Sequence, residues 1–396
     1  MKNKFLTLLL SLGALALTNC SSDDNITIDP TVITPPSTGG IVDVNVGGFN
    51  QPNRAYVDLS SGEQKNVSRN SWEIAVYNGS ENRVYLNNSL LVSAAELEGI
   101  TDITSVTEST ALTSPMTLNA LDQTFTPTTV TVNTVAELMQ GLPVNYYQYG
   151  DLDAGISFTD SKEGELSGTA FKAVSTTDSN NNVYILHLGN EVPTTNNGTL
   201  NTIGESRGFM KVRVLSDGNT YTIQYADLNN TTDFSEITVA KDSNYNLTGV
   251  SLTSGQIADV EPLSSNWDLD LGGVFSFYGL QGTLAAGLAY SDYTTHNTLG
   301  GVGLYIVDDV DDTTPSYTEF TYADINQSEL VFNNRAVVGS GWRSVSFSTG
   351  EASVTENRYY IIEDTEGNFY KLRFTAVESE NGERGYPQFQ YDLLTE

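Results

Sequence analysis

Apolar and polar residues alternate along most of this chain. "SWEIAVYNG", "NVYILHLGN", "FMKVRVLSDGNTYTIQYADL" and "RYYIIEDTEGNFYKLRF" carry Val, Ile, Tyr and Phe at every second position. A period of two marks strands with one buried face, and Gly, Asn and Asp interrupt the runs about every eight to twelve residues. The pattern predicts an all-β fold. "SDGN" and "TEGN" read as hairpin turns in which Gly218 and Gly367 supply positive φ. Only "VNTVAELMQ" and "TYADINQSEL" read as short helical turns.

The strands also repeat. "YVDLSSG" from Tyr56 matches "GVSLTSG" from Gly249, and Trp72 in "SWEIAV" matches Trp267 in "NWDLDL". "AELMQ" matches "SELVF", "VYILH" matches "YYIIE", "GFMKVRV" matches "NFYKLRF", and "QYADL" matches "QYDLL". The six blocks keep their order, at offsets of 193, 195, 192, 176, 160 and 166 residues, so insertions in loops separate two copies of one pattern. This predicts two tandem β-sheet domains, 45–230 and 231–396, divided in the turn-rich "NNTTD". Trp72 and Trp267 are the expected core anchors. Lys211 and Lys371, with Arg213 and Arg373, are expected on a solvated strand face, their stems covering apolar surface.

The N-terminus has a different texture. "MKNKFLTLLLSLGALALTNC" sets two lysines before an apolar run too short for a comfortable membrane span. Residues 1–19 read as a signal peptide. "LTNC" resembles a lipobox, with Asn19 in place of the usual small residue; cleavage there would leave Cys20, the chain's single cysteine, to carry a lipid. A plain secretory signal followed by an incidental cysteine is the alternative. Residues 20–44, rich in Ser, Thr, Asp, Pro and Gly, read as a flexible tether, and Asp23–Asp24 resemble a signal for surface export. The expected address is the outer membrane, facing the exterior, with membrane contact through the anchor alone. Formal net charge is −31, and about −33 once Lys2 and Lys4 leave; such a charge disfavours nucleic acid and anionic membranes.

Gly341 to Leu394, with Trp342, "NRYYII", "YKLRF" and "GERGYPQF", resembles the C-terminal half of the HmuY family, and "NWDLDL" resembles that family's tryptophan-led strand. The first half is a more diverged copy, so the likeness runs from about residue 45 to the end. The resemblance implies HmuY-like all-β domains on a surface lipoprotein that binds haem, or another tetrapyrrole, for iron acquisition without catalysis. It implies haem, or a haem-carrying host protein, as partner and an outer-membrane transporter as a possible recipient. It also implies two axial ligands, His or Met, which suit six-coordinate haem iron held for transport.

The candidate ligands are few. His187 ends the strand "YILHLGN" in the first half, and His296 lies in the Tyr-rich "YSDYTTHNTLGG" of the second. Met116, in the irregular-looking "TSPMTLN", is the expected exposed thioether, whereas Met139 and Met210 read as packing. Met116 with His187 is one proposed pair; His296 would need Tyr293 as tyrosinate, or no partner. The alternative is a module that keeps the fold without iron ligands and recognises a glycan, peptide or partner lipoprotein. No HExxH or P-loop pattern is present, nor a GxSxG or GxGxxG in a strand-to-helix context, so no enzyme is expected. Asp151 and Asp153, and the run Asp308, Asp309, Asp311 and Asp312, could hold calcium but lack EF-hand spacing and read as solvated loops.

Overall fold

The alternating segments fold as antiparallel strands. The computed structural model describes residues 35–121, 126–142, 158–195, 198, 200–279, 285–308, 313–346 and 351–396. The signal, Cys20, the pair Asp151 and Asp153, and three of the four acids of the 308–312 run lie outside the described residues; Asp308 lies within them and pairs with Arg358.

In chain order the strands are β1 (Gly39–Asp43), β2 (Asn53–Asp58), β3 (Glu63–Ser68), β4 (Ile74–Tyr77), β5 (Val84–Leu86), β6 (Ser93–Leu97), β7 (Ala111–Leu121), β8 (Pro127–Thr134), β9 (Val183–His187), β10 (Phe209–Ser216) and β11 (Thr220–Asp227). There follow β12 (Ser235–Ala240), β13 (Leu247–Ser251), β14 (Gln256–Ala258), β15 (Leu269–Gly279), β16 (Ala285–His296), β17 (Gly303–Asp308), β18 (Arg343–Val345), β19 (Ala352–Val354), β20 (Arg358–Glu363), β21 (Phe369–Glu378) and β22 (Arg384–Leu394). One short helix, α1 (Val135–Met139), starts at a Thr134 cap, and "TYADINQSEL" makes two 3-10 turns, 322–324 and 327–329. Gly218 and Gly367 hold φ of +100° and +83° in the β10–β11 and β20–β21 hairpins.

Two five-stranded sheets have the orders β12-β11-β10-β9-β6 and β1-β22-β21-β20-β17. "GFMKVRV" forms β10 and "NFYKLRF" forms β21, so each occupies the middle of its sheet. Two four-stranded sheets have the orders β14-β13-β4-β5 and β16-β15-β2-β3. In both, a hairpin from one side of residue 231 pairs with strands from the other. Likewise β1 pairs with β22, and β12 with β11.

The hydrogen bonds at these crossings repeat. The Leu252 amide donates to Glu73 Oε2 (2.6 Å), and the Leu59 amide donates to Asp268 Oδ2 (2.8 Å). Leu59 and Leu252 stand at one offset, 193 residues, and each carboxylate follows the tryptophan of its own half. Asn87 Nδ2 donates to the carbonyls of Trp72 and Arg69; Asn297 Nδ2 donates to those of Trp267 and Ser264. One core, with Ile74, Val84, Tyr184, Val212, Tyr221 and Val250, draws only on residues 74–252. A second, with Val44, Val57, Leu269, Trp342, Tyr370 and Phe389, draws on 44–59 and 269–391.

Four local expectations differ from what forms. The tether read as ending at residue 44 gives way to β1 at Gly39, because β22 offers a free edge that residues 39–43 complete in continuous register. Met116 lies on β7, not in a loop. Pro115 falls where the β7–β8 register slips between Ala111 and Met116, the kind of irregularity at which a strand tolerates proline. Lys211 and Lys371 are not on a solvated face; both are buried. Lys211 Nζ donates to the carbonyls of Val106 (2.7 Å) and Asn230, and Lys371 Nζ to those of Tyr317 (2.8 Å) and Phe320 (3.0 Å). Each lysine thus ties the middle strand of its sheet to a covering connection. Trp267 is buried as expected, whereas Trp72 is only half-buried.

Candidate functional site

His187 is the last residue of β9 and fully buried. Phe209, its neighbour across the β9–β10 ladder, stands edge-on at 5.0 Å. Its Nε2 bonds the Ser206 hydroxyl at 2.7 Å, and its Nδ1 accepts the Gly189 amide at 3.2 Å. Accepting at Nδ1 leaves the proton on Nε2, so the ring is neutral; burial pushes its pKa down to about 4. Both nitrogens are therefore committed within the chain. Met116 is half-buried against the apolar cluster that holds Val183 and Ile185, which share a strand face with His187. The fold brings Met116 and His187 to one core, not to a shared open surface.

His296 ends β16 and is 1% exposed. Its Nε2 donates to the Val331 carbonyl at 3.0 Å. Burial holds its pKa near 4 against the opposing pull of the Val331 and Arg335 carbonyls. With the proton on Nε2, Nδ1 keeps its lone pair, and no hydrogen bond reaches that atom among the described residues. An imidazole whose N–H is held by a backbone carbonyl is how proteins orient metal-bound histidines. In donor chemistry His296 therefore fits an iron ligand and His187 does not; in access, both are closed. Tyr293 lies three positions before His296, so the two-residue period points the two side chains to opposite faces. Burial pushes the Tyr293 phenol up, away from the tyrosinate that would bind iron.

Several buried polar groups carry no motif and escape a reading of the sequence. Asp292 takes ion pairs from Arg384 and the more distant Arg343, accepts the Gln51 amide, and its own amide donates to Gln51 Oε1 (2.9 Å). Both Asp292 and Gln51 hold positive φ, 50° and 44°, and these bonds offset that strain. Arg69 is buried with no carboxylate partner. It donates to the carbonyls of Gln51 (3.0 Å), Thr202 (3.0 Å), Asn50 and Ser89, and burial pulls its pKa down to about 9. Arg54 pairs with Asp270, which also accepts the Thr295 hydroxyl. The available signal was the alternation of Asp268 and Asp270 around the start of β15, which a solvated strand face would produce equally well. Among the described residues no cluster of His, Cys, Asp and Glu could hold a metal ion, and no helix is long and apolar enough to cross a membrane.

The arrangement is that of an all-β protein most of whose buried polar groups are spent on structure. The HmuY protein family model matches residues 50–391, and the chain belongs to the HmuY family. No curated protein sequence matches it. Among solved structures it is similar to a protein assigned as a lipoprotein from Bacteroides fragilis, at 15% identity and TM-score 0.20, over 38% of this chain and 84% of that one. It is similar to the apo HmuY analogue of Tannerella forsythia, at 13% identity and TM-score 0.19, over 38% and 89%. A protein from Bacteroides vulgatus, assigned as HmuY-like and haem-binding, matches at 15% identity and TM-score 0.17, over 38% and 85%.

Proposed function

We propose that this chain is a lipid-anchored surface protein that captures haem, or another tetrapyrrole, for iron acquisition and performs no catalysis. The family match over residues 50–391 carries the reading, and the apolar leader ending at Cys20 supports an outer-membrane anchor facing outward. Haem or a haem-carrying host protein would be the source, and an outer-membrane transporter the recipient. Bound haem would supply an iron centre open at two axial positions. His296 is the first candidate ligand because its N–H is already anchored and its Nδ1 has no described partner. His187 with Met116 is the second, and there His187 would first have to release Ser206.

Titrating residues 25–396 with haemin tests this. A Soret band that sharpens and saturates at one haem per chain is expected, with loss on His296→Ala, or on His187→Ala and Met116→Ala, identifying the ligands. A spectrum that stays that of free haemin would leave the second reading: a HmuY-fold module without iron ligands that binds a glycan, peptide or partner lipoprotein. The burial of both imidazoles favours that alternative.

We also infer that the two halves are copies whose opening segments are exchanged. The paired bonds Leu252 to Glu73 and Leu59 to Asp268 support this, since each copy completes the other's sheet by one contact.

A further inference from the structure

Beside the end of β2 lies a cavity walled by Arg54, Tyr56, Trp72, Glu261, Trp267 and Asp270, among others. It offers about 80 Å³ to water centres, where a single water needs roughly 10–15 Å³ on that measure. There is room for several waters or one compact ligand.

Its walls carry donors with nothing to donate to. Arg54 spends Nε and Nη2 on Asp270, yet Nη1 has no partner among the described residues, although the residue is only 8% exposed. Trp267 is 7% exposed, and its Nε1–H is likewise without a partner. The two donors flank one side chain. Tyr56 is two positions from Arg54 on the same strand face, and Trp267 stands edge-on to the Tyr56 ring at 5.0 Å. The Tyr56 hydroxyl is already committed to the Val260 carbonyl at 2.6 Å. Buried donors are nearly always paired, so two orphans beside one cavity point to an absent acceptor.

The walls carry charges of both signs, with Asp270 and Glu261 beside Arg54 and Arg335. Asp270 is matched by Arg54 and the Thr295 hydroxyl. Glu261 accepts the Leu247 amide at 2.8 Å, and burial pushes its carboxyl up to about 8. Arg335 also walls the cavity. Arg69 adds a full charge against backbone carbonyls alone, one of them that of Ser89, another wall residue. Two unpartnered buried donors and the Arg335 cation thus stand beside the Arg54–Asp270 pair.

We propose that this cavity binds a compact oxyanion, the carboxylate or phosphate group of a small ligand, through Arg54 and Trp267. The inference does not depend on haem. The test uses the ¹⁵N-labelled mature chain at constant ionic strength, titrated separately with sodium phosphate, sodium acetate and sodium chloride. The indole N–H resonance of Trp267 is expected to move downfield and saturate with phosphate, with acetate, or with both, which names the anion class. Arg54→Lys keeps a cation for Asp270 but removes Nη1, and should weaken binding about tenfold or more, the cost of one charged hydrogen bond. Trp267→Phe keeps the ring against Tyr56 and should weaken binding similarly by calorimetry. The proposal fails if neither anion saturates, if chloride reproduces the shift, or if both variants bind as tightly as the parent.

Discussion

Lys211 and Lys371 carry the most instruction per atom. Their place in the repeat was legible, because both stand two residues before an arginine on an alternating strand. Their burial was not, because the carbonyls they serve lie far along the chain, at 105 residues for Val106 and 54 for Tyr317. Lys371→Met should keep the stem's packing but strand two carbonyls, at a cost of about 1–3 kcal/mol, seen as a lower denaturation midpoint in urea. The buried carboxyls set a pH dependence. Burial pushes Asp268 and Glu261 up to about 8 and Asp160 to about 6. The native state therefore keeps protons that the unfolded chain loses near pH 4, and stability falls as pH rises toward 8. His187 and His296, held near 4, act oppositely, but only below the unfolded imidazole value of about 6.5. Between pH 6.5 and 8 the carboxyls act without that opposition. The melting temperature should drop across that window, and drop less in Asp268→Asn, which can still accept from the Leu59 amide. A flat or rising profile would contradict the assignment.

At the scale of elements, periodicity located the strands, the glycine turns and the helical turns near 135 and 322. It did not reveal which strands are neighbours, because alternation fixes the face a side chain takes and leaves the edge partner open. Hence the boundary read at residue 231 falls between β11 and β12, two strands that pair with one another. Met116 was misread because Pro115 resembles a loop signal, whereas a two-stranded ribbon accommodates it at a register slip. The pairing makes a prediction about fragments. Residues 71–262 contain β4 to β14 and one complete core, so that fragment should unfold cooperatively in a thermal melt. Residues 45–230 lack β12 to β14, leaving β4 and β11 with open edges, and should melt broadly or aggregate. Equal behaviour of the two fragments would overturn the exchange.

For the whole molecule, the fold class and the family were legible because the scaffold strands carry the alternation and the family-like blocks. The proposed anion cavity was not, since its walls come from strands far apart in sequence: Arg54 on β2, Glu261 and Trp267 beyond β14, and Asp270 on β15. The pairing of β1 with β22 joins Gly39 to Asp392. During synthesis β1 therefore has no lasting partner, and the β2–β3 hairpin, though paired within itself, lacks a sheet to join. The segment between them and β15 can close around its own core first, while β1 waits for β22 and the β2–β3 hairpin waits for β15. Contacts of such long sequence separation make for slow closure. The chain finishes folding only when its last strand is released, and its earliest strands are the last to find shelter.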